Sequence, residues 1–95
     1  MLTTKEKELM TTFQNAEVIE TAALAIANGS GIGFCYTKAD GEEDYRRVIP
    51  LSIDTTKDGE VIIRTFDTDR NAWRSYRVDR VEEDSIVFFD PREEQ

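Results

Sequence analysis

The chain predicts a mainly β domain, with one helix near the N-terminus followed by five short antiparallel strands curling into a small helix-capped barrel. Three observations predict it. Apolar residues between positions 16 and 27 recur at spacings of three and four, which marks one face of a helix. After Gly29 the apolar residues come in short runs, some of them alternating with polar ones. Turn signals such as Asp40-Gly41 and Asp58-Gly59 separate those runs at hairpin distances. Ninety-five residues make one small domain with a single modest core.

Each element follows in order. Residues 1–14 form a polar segment in which Thr3 and Glu6 stand at capping-box spacing, enough for a short helical turn. Asn15 is placed to cap the main helix, Ala16 to Ala27, whose apolar face is Val18, Ile19, Ala22, Ala23 and Ile26. The run Ala22-Ala23-Leu24-Ala25-Ile26 has high helix propensity, and Gly29 suits a left-handed C-cap. Ile32, Phe34 and Tyr36 alternate with Gly33, Cys35 and Thr37 along a first strand. A second strand, Tyr45 to Asp54, contains Pro50, which cannot donate to a ladder and so implies an edge, bulge or bend. Glu60 to Asp67 is the third strand, with Val61-Ile62-Ile63 at its heart; Thr68 to Asn71 turns the chain into a fourth, Trp73 to Val78. Asp79 to Asp84 is too polar for a strand interior and reads as a turn or short 3₁₀ segment before a fifth strand, Ile86 to Phe89. The working division is a polar segment 1–14, a barrel domain 15–90 and an acidic tail 91–95. Closure would leave these short strands without exposed edges.

Composition narrows the function. There is no histidine, so no Ser-His-Asp or Cys-His arrangement can be built and the commonest transition-metal ligand is missing. Runs such as Glu42-Glu43-Asp44 and Glu82-Glu83-Asp84 read as solvated turn charges, and Asp54 to Asp58 lacks the ligand spacing of a calcium loop. No catalysis, metal or cofactor is expected. No run of about 18 apolar residues exists, and the charged N-terminus lacks a signal peptide's apolar stretch, so no membrane association is expected. Cys35 is the sole cysteine, excluding an internal disulfide and pointing to a reducing, cytoplasmic setting in which it is a small packed side chain.

The arginines carry the remaining signal. Five of the eight (Arg64, Arg70, Arg74, Arg77 and Arg80) lie between residues 64 and 80 of a chain whose formal charge is −8. Guanidinium groups suit bidentate binding of phosphate or carboxylate. Two explanations stand side by side: these arginines pair with neighbouring Asp and Glu, or several converge as an anion or nucleic-acid site. Strand alternation puts Arg74 on the face of Tyr76 and Arg77 on the opposite one. Tyr36, Tyr45, Phe66 and Trp73 are the available stacking platforms. Phe34, Phe66, Tyr76, Phe88 and Tyr36 are also wanted for the core, which leaves Trp73, beside Arg74, as the best exposed one. Phe88-Phe89 puts aromatics on both faces of the last strand, which means either a buried strand or a docking surface. The acidic balance argues against strong sequence-independent duplex binding.

The order Arg47-Val48-Ile49-Pro50-Leu51, a hairpin, a strand, and then Arg74-Ser75-Tyr76-Arg77-Val78-Asp79-Arg80-Val81 resembles the WYL domain. In that family an R-x-x-P-like element precedes the Trp-Tyr-Leu strand and an R-x-F-R-x-D-R-I-like element closes the pattern. The likeness covers roughly residues 16 to 89, with Val61-Ile62-Ile63 in place of the eponymous triplet and Tyr76 where the family usually has Phe. Any ligand contact made by the family's aromatic at position 62 therefore does not carry over. The resemblance implies an Sm-like, SH3-type barrel serving as a regulatory binding module. WYL domains most often follow a helix-turn-helix in bacterial transcription regulators. With no room for a winged helix before residue 16, a stand-alone bacterial or phage module is expected. The resemblance makes Arg47, Arg74, Arg77 and Arg80 candidate ligand-binding residues, to which Tyr36 and Trp73 are added as stacking platforms, and it makes a short single-stranded nucleic acid or a nucleotide the candidate ligand. A larger regulatory protein is a candidate partner. The competing reading is an SH3-like protein-interaction adaptor, phage-encoded for instance, that binds no nucleotide and forms a homodimer or a complex through Ile86 to Phe89.

Overall fold

The computed structural model describes residues 4–93, with side chains described from 15 to 92. Helix α1 runs Thr4–Asn28 and is followed by β1 (Gly31–Thr37), β2 (Glu43–Thr55), β3 (Val61–Asp67), β4 (Ala72–Arg77) and β5 (Val87–Phe89). Three 3₁₀ turns, Val78–Arg80, Glu83–Ser85 and Pro91–Glu93, are the remaining elements among the described residues. The helix starts well before the expected Ala16, and Asn15 sits inside it rather than at its cap. Lys5 to Met10 are good helix formers, and they extend the periodic stretch instead of interrupting it. Thr3 of the expected capping box lies outside the described residues, as do residues 94 and 95 of the acidic tail.

At its C-terminus the helix stops as its sequence implies. Gly29 takes a φ of 68°, its N–H donates to the Ile26 carbonyl, and the Ser30 N–H donates to Ala25. This is a Schellman motif, in which a left-handed residue lets two otherwise orphaned carbonyls accept bonds. The buried stripe is Val18, Ala22 and Ala25, flanked by Ile19 and Ile26, while Ala23 faces outward. The stripe is narrow because the helix crosses the sheet on small residues, which let the two backbones approach closely.

The five strands form one antiparallel sheet in the order β4-β3-β2-β1-β5. Lys38 to Glu42 and Thr56 to Glu60 make matching hairpin loops: in each, the glycine N–H bonds back to the first loop residue, and that residue's N–H bonds to the closing glutamate carbonyl. Register between β2 and β3 shifts between Pro50 and Ser52, so Leu51 is the extra residue of a bulge. The bulge bends β2 and lets the sheet curl.

The sheet curls but does not close, in contrast to the expected barrel. β5 has only three residues and pairs with β1 alone, leaving β4 and β5 as separate edges. The gap is spanned by the 3₁₀ segments: Tyr36 bridges Val81, the Glu82 N–H donates to the Cys35 carbonyl, and the Cys35 N–H donates to Ser85 Oγ at 2.8 Å. Pairing through irregular turns stands in for a sixth strand.

Strand register defines two faces. The concave face carries Ile32, Phe34 and Tyr36 from β1, Arg46 and Val48 from β2, Ile63, Thr65 and Asp67 from β3, and Arg74 and Tyr76 from β4. Helix α1 covers its apolar part, where Val18, Ala22, Ala25, Ile32, Phe34, Val48, Ile63 and Val78 form the core. Among the expected core aromatics, Phe34 is fully buried, whereas Phe88 on the edge strand is 51% exposed. Phe34, Tyr36 and Tyr76 pack edge to face in a triangle with centroid distances of 5.0–6.3 Å. Truncation of a fully buried Phe costs about 3–5 kcal/mol, so Phe34→Ala is expected to lower the urea unfolding free energy by that much. Leu24→Ala, on the exposed helix face, is expected to stay within about 0.5 kcal/mol of wild type in the same measurement.

Candidate functional site

The polar end of the concave face is built from two hairpins. The β3–β4 turn is organised by Asp67, a buried carboxylate that is 1% exposed. Its Oδ1 accepts the N–H groups of Asp69 (3.0 Å) and Arg70 (3.1 Å), and its Oδ2 accepts from Arg70 Nη1 at 3.1 Å. Asn71 completes the turn in the left-handed region, at φ 51°. Arg70 is thereby held over the sheet, where its Nη2 comes within 3.8 Å of Asp44 Oδ2 on β2. The same oxygen lies 3.0 Å from Arg46 Nη2 and 3.9 Å from Lys38 Nζ, and Lys38 is shared with Glu42 at 3.7 Å. Arg46 is the most enclosed of these cations, with 13% of its side chain exposed, and its Nε and Nη1 are buried without a hydrogen-bond partner.

Arg74 lies on the same face of the sheet, on edge strand β4. It pairs across the ladder with buried Thr65, whose hydroxyl donates to the Arg74 carbonyl at 3.0 Å. The Tyr76 hydroxyl lies in the field of Arg46, Arg70 and Arg74 as well as that of Asp67. Burial is the largest influence on it and raises the phenol above its ordinary value; Arg46 pulls it down, Asp67 pushes it up, and Arg70 and Arg74 pull it down. Arg46 and Arg70 thus meet at Asp44, and Arg74 stands on the same face of the sheet, two residues from Tyr76 on the edge strand.

The other residues singled out from the sequence lie elsewhere. Arg77 is on the outer face, where it makes a bidentate pair with Asp79 (3.0 and 2.7 Å) and a further contact with Glu60 at 3.1 Å. The hydrogen bond with Asp79 raises its already high pKa. Its backbone N–H donates to Tyr36 Oη at 3.2 Å, fastening the end of β4 to β1. Arg47 also faces outward, its guanidinium 4.5 Å from the Phe89 ring centroid. Trp73 is 72% exposed on the outer side of β4, packed edge to face on Phe66 at 5.0 Å. Arg80 borders an open depression of about 520 Å³ with Thr37, Glu43, Asp79, Val81 and Glu82. Of the six, Tyr36 and Arg74 share the concave face, Arg47, Arg77 and Trp73 are spread over the outer one, and Arg80 lies in the 3₁₀ connection.

A model of the WYL domain matches residues 17–84, most of the chain. The chain belongs to the WYL domain family. The match takes in β1 to β4, the first 3₁₀ turn and the start of the second, hence every residue of the arginine group. Among solved structures, this WYL domain is similar to proteasome accessory factor B/C (PafBC) of Arthrobacter aurescens, with a TM-score of 0.70 and 23% identity. The likeness covers 78% of this chain and 11% of that one, and it establishes a shared fold. No curated protein matches the sequence.

Arg46 was not among the residues the sequence suggested, and Arg70 belonged to the arginine cluster but not to the candidate ligand-binding residues. Arg46 could have been found by counting back in twos from Pro50 and Val48, which places it on the buried face. Arg70 gave no such signal, because its position depends on the Asp67-centred turn. Among the described residues no cluster of carboxylates or cysteine suits a metal ion, and no helix is long and apolar enough to cross a membrane.

Two outcomes follow. Arg77→Ala is expected to lower the urea midpoint by breaking the Asp79 and Glu60 contacts, whereas Arg74→Ala should leave stability within about 0.5 kcal/mol of wild type. Because the folded-state pKa of Tyr76 is raised, its contribution to stability is complete below the ordinary value of 10.0 and is lost as pH climbs toward the higher one. Alkaline unfolding followed by circular dichroism should therefore be shallower in Tyr76→Phe than in wild type.

Proposed function

We propose that this WYL domain is a non-enzymatic, cytoplasmic regulatory module that binds a short single-stranded nucleic acid or a nucleotide at the open end of its concave face. The observation that carries the reading is the meeting of Arg46 and Arg70 at one oxygen of Asp44, with Arg74 on the same face of the neighbouring edge strand. Arginine meets phosphate with paired donors, and a group of three can follow a short backbone where a single residue cannot. Tyr36, half-buried, supplies aromatic surface on the same face as the arginines, and Trp73 lies around the β4 edge for a base that leaves the concave face. Membership of the WYL family supports a regulatory role, in which the bound ligand alters a transcription regulator or a nucleic-acid enzyme. The formal charge of −8 disfavours long duplex DNA and leaves the local basic group to select a short ligand.

A second reading has one observation of its own. Val87 (50% exposed) and Phe88 (51%) lie on the free edge strand β5, next to the Arg47–Phe89 pair, and such a surface suits a protein partner or a second copy of the chain. An adaptor of this kind binds no nucleotide.

The two readings separate in a titration with labelled single-stranded DNA and RNA of about ten nucleotides, followed by anisotropy at low and moderate salt. The ligand-binding reading expects saturable binding that weakens with salt, and a loss of about tenfold or more in affinity for Arg74→Ala with its fold intact. Binding that is absent at both salts, or equal in Arg74→Ala and wild type, would overturn it.

A further inference from the structure

We infer that the arginine site is built for a terminal phosphate, the doubly charged end group of a 5′-phosphorylated strand or nucleotide, and that this group binds by displacing Asp44. The inference rests on the ligand-binding reading above and specifies its ligand. It begins with Arg46. That guanidinium is largely enclosed, its Nε and Nη1 have no partner, and the nitrogen with a partner, Nη2, is taken by Asp44 at 3.0 Å. A buried charge left under-solvated favours a strong counter-charge. Asp44 supplies only one negative charge, from a side chain that is 36% exposed, and divides it among Arg46, Arg70 and Lys38. One oxygen, Oδ2, makes all three contacts. That oxygen marks the place where the cluster holds an anion.

The charge balance selects the ligand. Lys38 is matched by Glu42, and the Asp67 carboxylate is committed to the β3–β4 turn and to Arg70. When Asp44 swings away, Arg46, Arg70 and Arg74 face one remaining carboxylate, Asp67, an excess of two positive charges. An internal phosphodiester carries a single negative charge, so exchanging it for the Asp44 carboxylate gains little. A phosphomonoester carries about −1.5 to −2 near neutral pH and three acceptor oxygens. It restores the balance and offers oxygens to Arg46 and Arg70 at the place Asp44 leaves, with Arg74 adding its charge from the same face of the sheet. Among the described residues the Asp44 side chain is held by its ion pairs with Lys38, Arg46 and Arg70, so an anion that takes over those cations releases it.

The experiment compares two oligonucleotides of one sequence, 3′-labelled, one with a 5′-phosphate and one with a 5′-hydroxyl. Both are titrated into wild type, Asp44→Asn, Arg70→Ala and Arg74→Ala. Wild type is expected to bind the 5′-phosphorylated strand about tenfold or more tightly, with excess nucleoside monophosphate competing. Asp44→Asn should bind both strands more tightly and with a smaller ratio between them, since no carboxylate then has to leave. Arg70→Ala should lose the 5′-phosphate preference, and a folded Arg70→Ala protects the test if Asp44→Asn is unstable. Equal binding of the two strands by wild type, with both lost in Arg74→Ala, would overturn the terminal-phosphate inference and leave the broader ligand reading standing. Weaker binding by a folded Asp44→Asn would show that Asp44 supports the ligand instead of yielding to it, and would overturn the displacement. Failure of either strand to bind wild type or Asp44→Asn would remove both the inference and the reading beneath it.

Discussion

The structure depends on one bent strand. β2 is the longest strand of the sheet, thirteen residues, and it pairs with β1 through its first half and with β3 through its second. A straight strand of that length would hold the two halves of the sheet nearly flat. The extra residue at Leu51, following a proline that cannot donate to the ladder, lets the second half turn. That turn gives the sheet a concave side deep enough for a helix. It also brings β4 round toward β1, so that the backbone of Arg77 can reach the Tyr36 hydroxyl.

The concave side then divides in two. Toward the helix it is apolar, with Val18, Ala22 and Ala25 against Ile32, Val48 and Ile63. Toward the Lys38–Glu42 and Thr68–Asn71 loops it is charged. The triangle of Phe34, Tyr36 and Tyr76 stands at the boundary. Its rings wall the helix-side core from water, while the tyrosine hydroxyls face polar surroundings, as amphipathic aromatics do. Arg46 sits on the charged side but so near the core that two of its nitrogens are dry. The overall acidity of the chain does not prevent this: the carboxylates of Asp54, Asp79 and Asp90 each answer an arginine on the outer surface, leaving the concave arginines with fewer counter-charges.

Most of the fold was legible in the sequence because it is encoded locally. The Asp-Gly pairs fixed both hairpin loops, the Asn28-Gly29 step fixed the helix end, and Pro50 announced the bulge. The polar run Asp79 to Asp84, read as a turn or short 3₁₀ segment, falls in two 3₁₀ turns and the link between them. The helix start was not legible, since residues 4–14 combine helix formers with a mixed charge pattern that suits a polar segment equally well. Closure was not legible either, because it turns on how many residues of β5 find a partner, which is a property of the whole sheet. The candidate site was legible only in part. Alternation placed Arg74 and Arg77 on opposite faces, and the resemblance drew attention to the closing arginine motif. What sequence spacing could not supply was the Asp67-centred turn that brings Arg70 to the Asp44 carboxylate beside Arg46, a meeting of residues from separate hairpins.

The two glycines of β1 have a consequence for how this surface can change. A side chain at Gly31 would run into the Phe89 ring, and one at Gly33 would run into the Tyr45 hydroxyl. β1 therefore contributes bare backbone at these two outer positions, and the chemistry displayed there is lent by its neighbours on β5 and β2. The outer face behaves as an interchangeable veneer over a fixed frame. Replacing Phe89 or Tyr45 rewrites what a passing molecule meets, while the strand beneath, and the helix and arginines on its far side, keep their places.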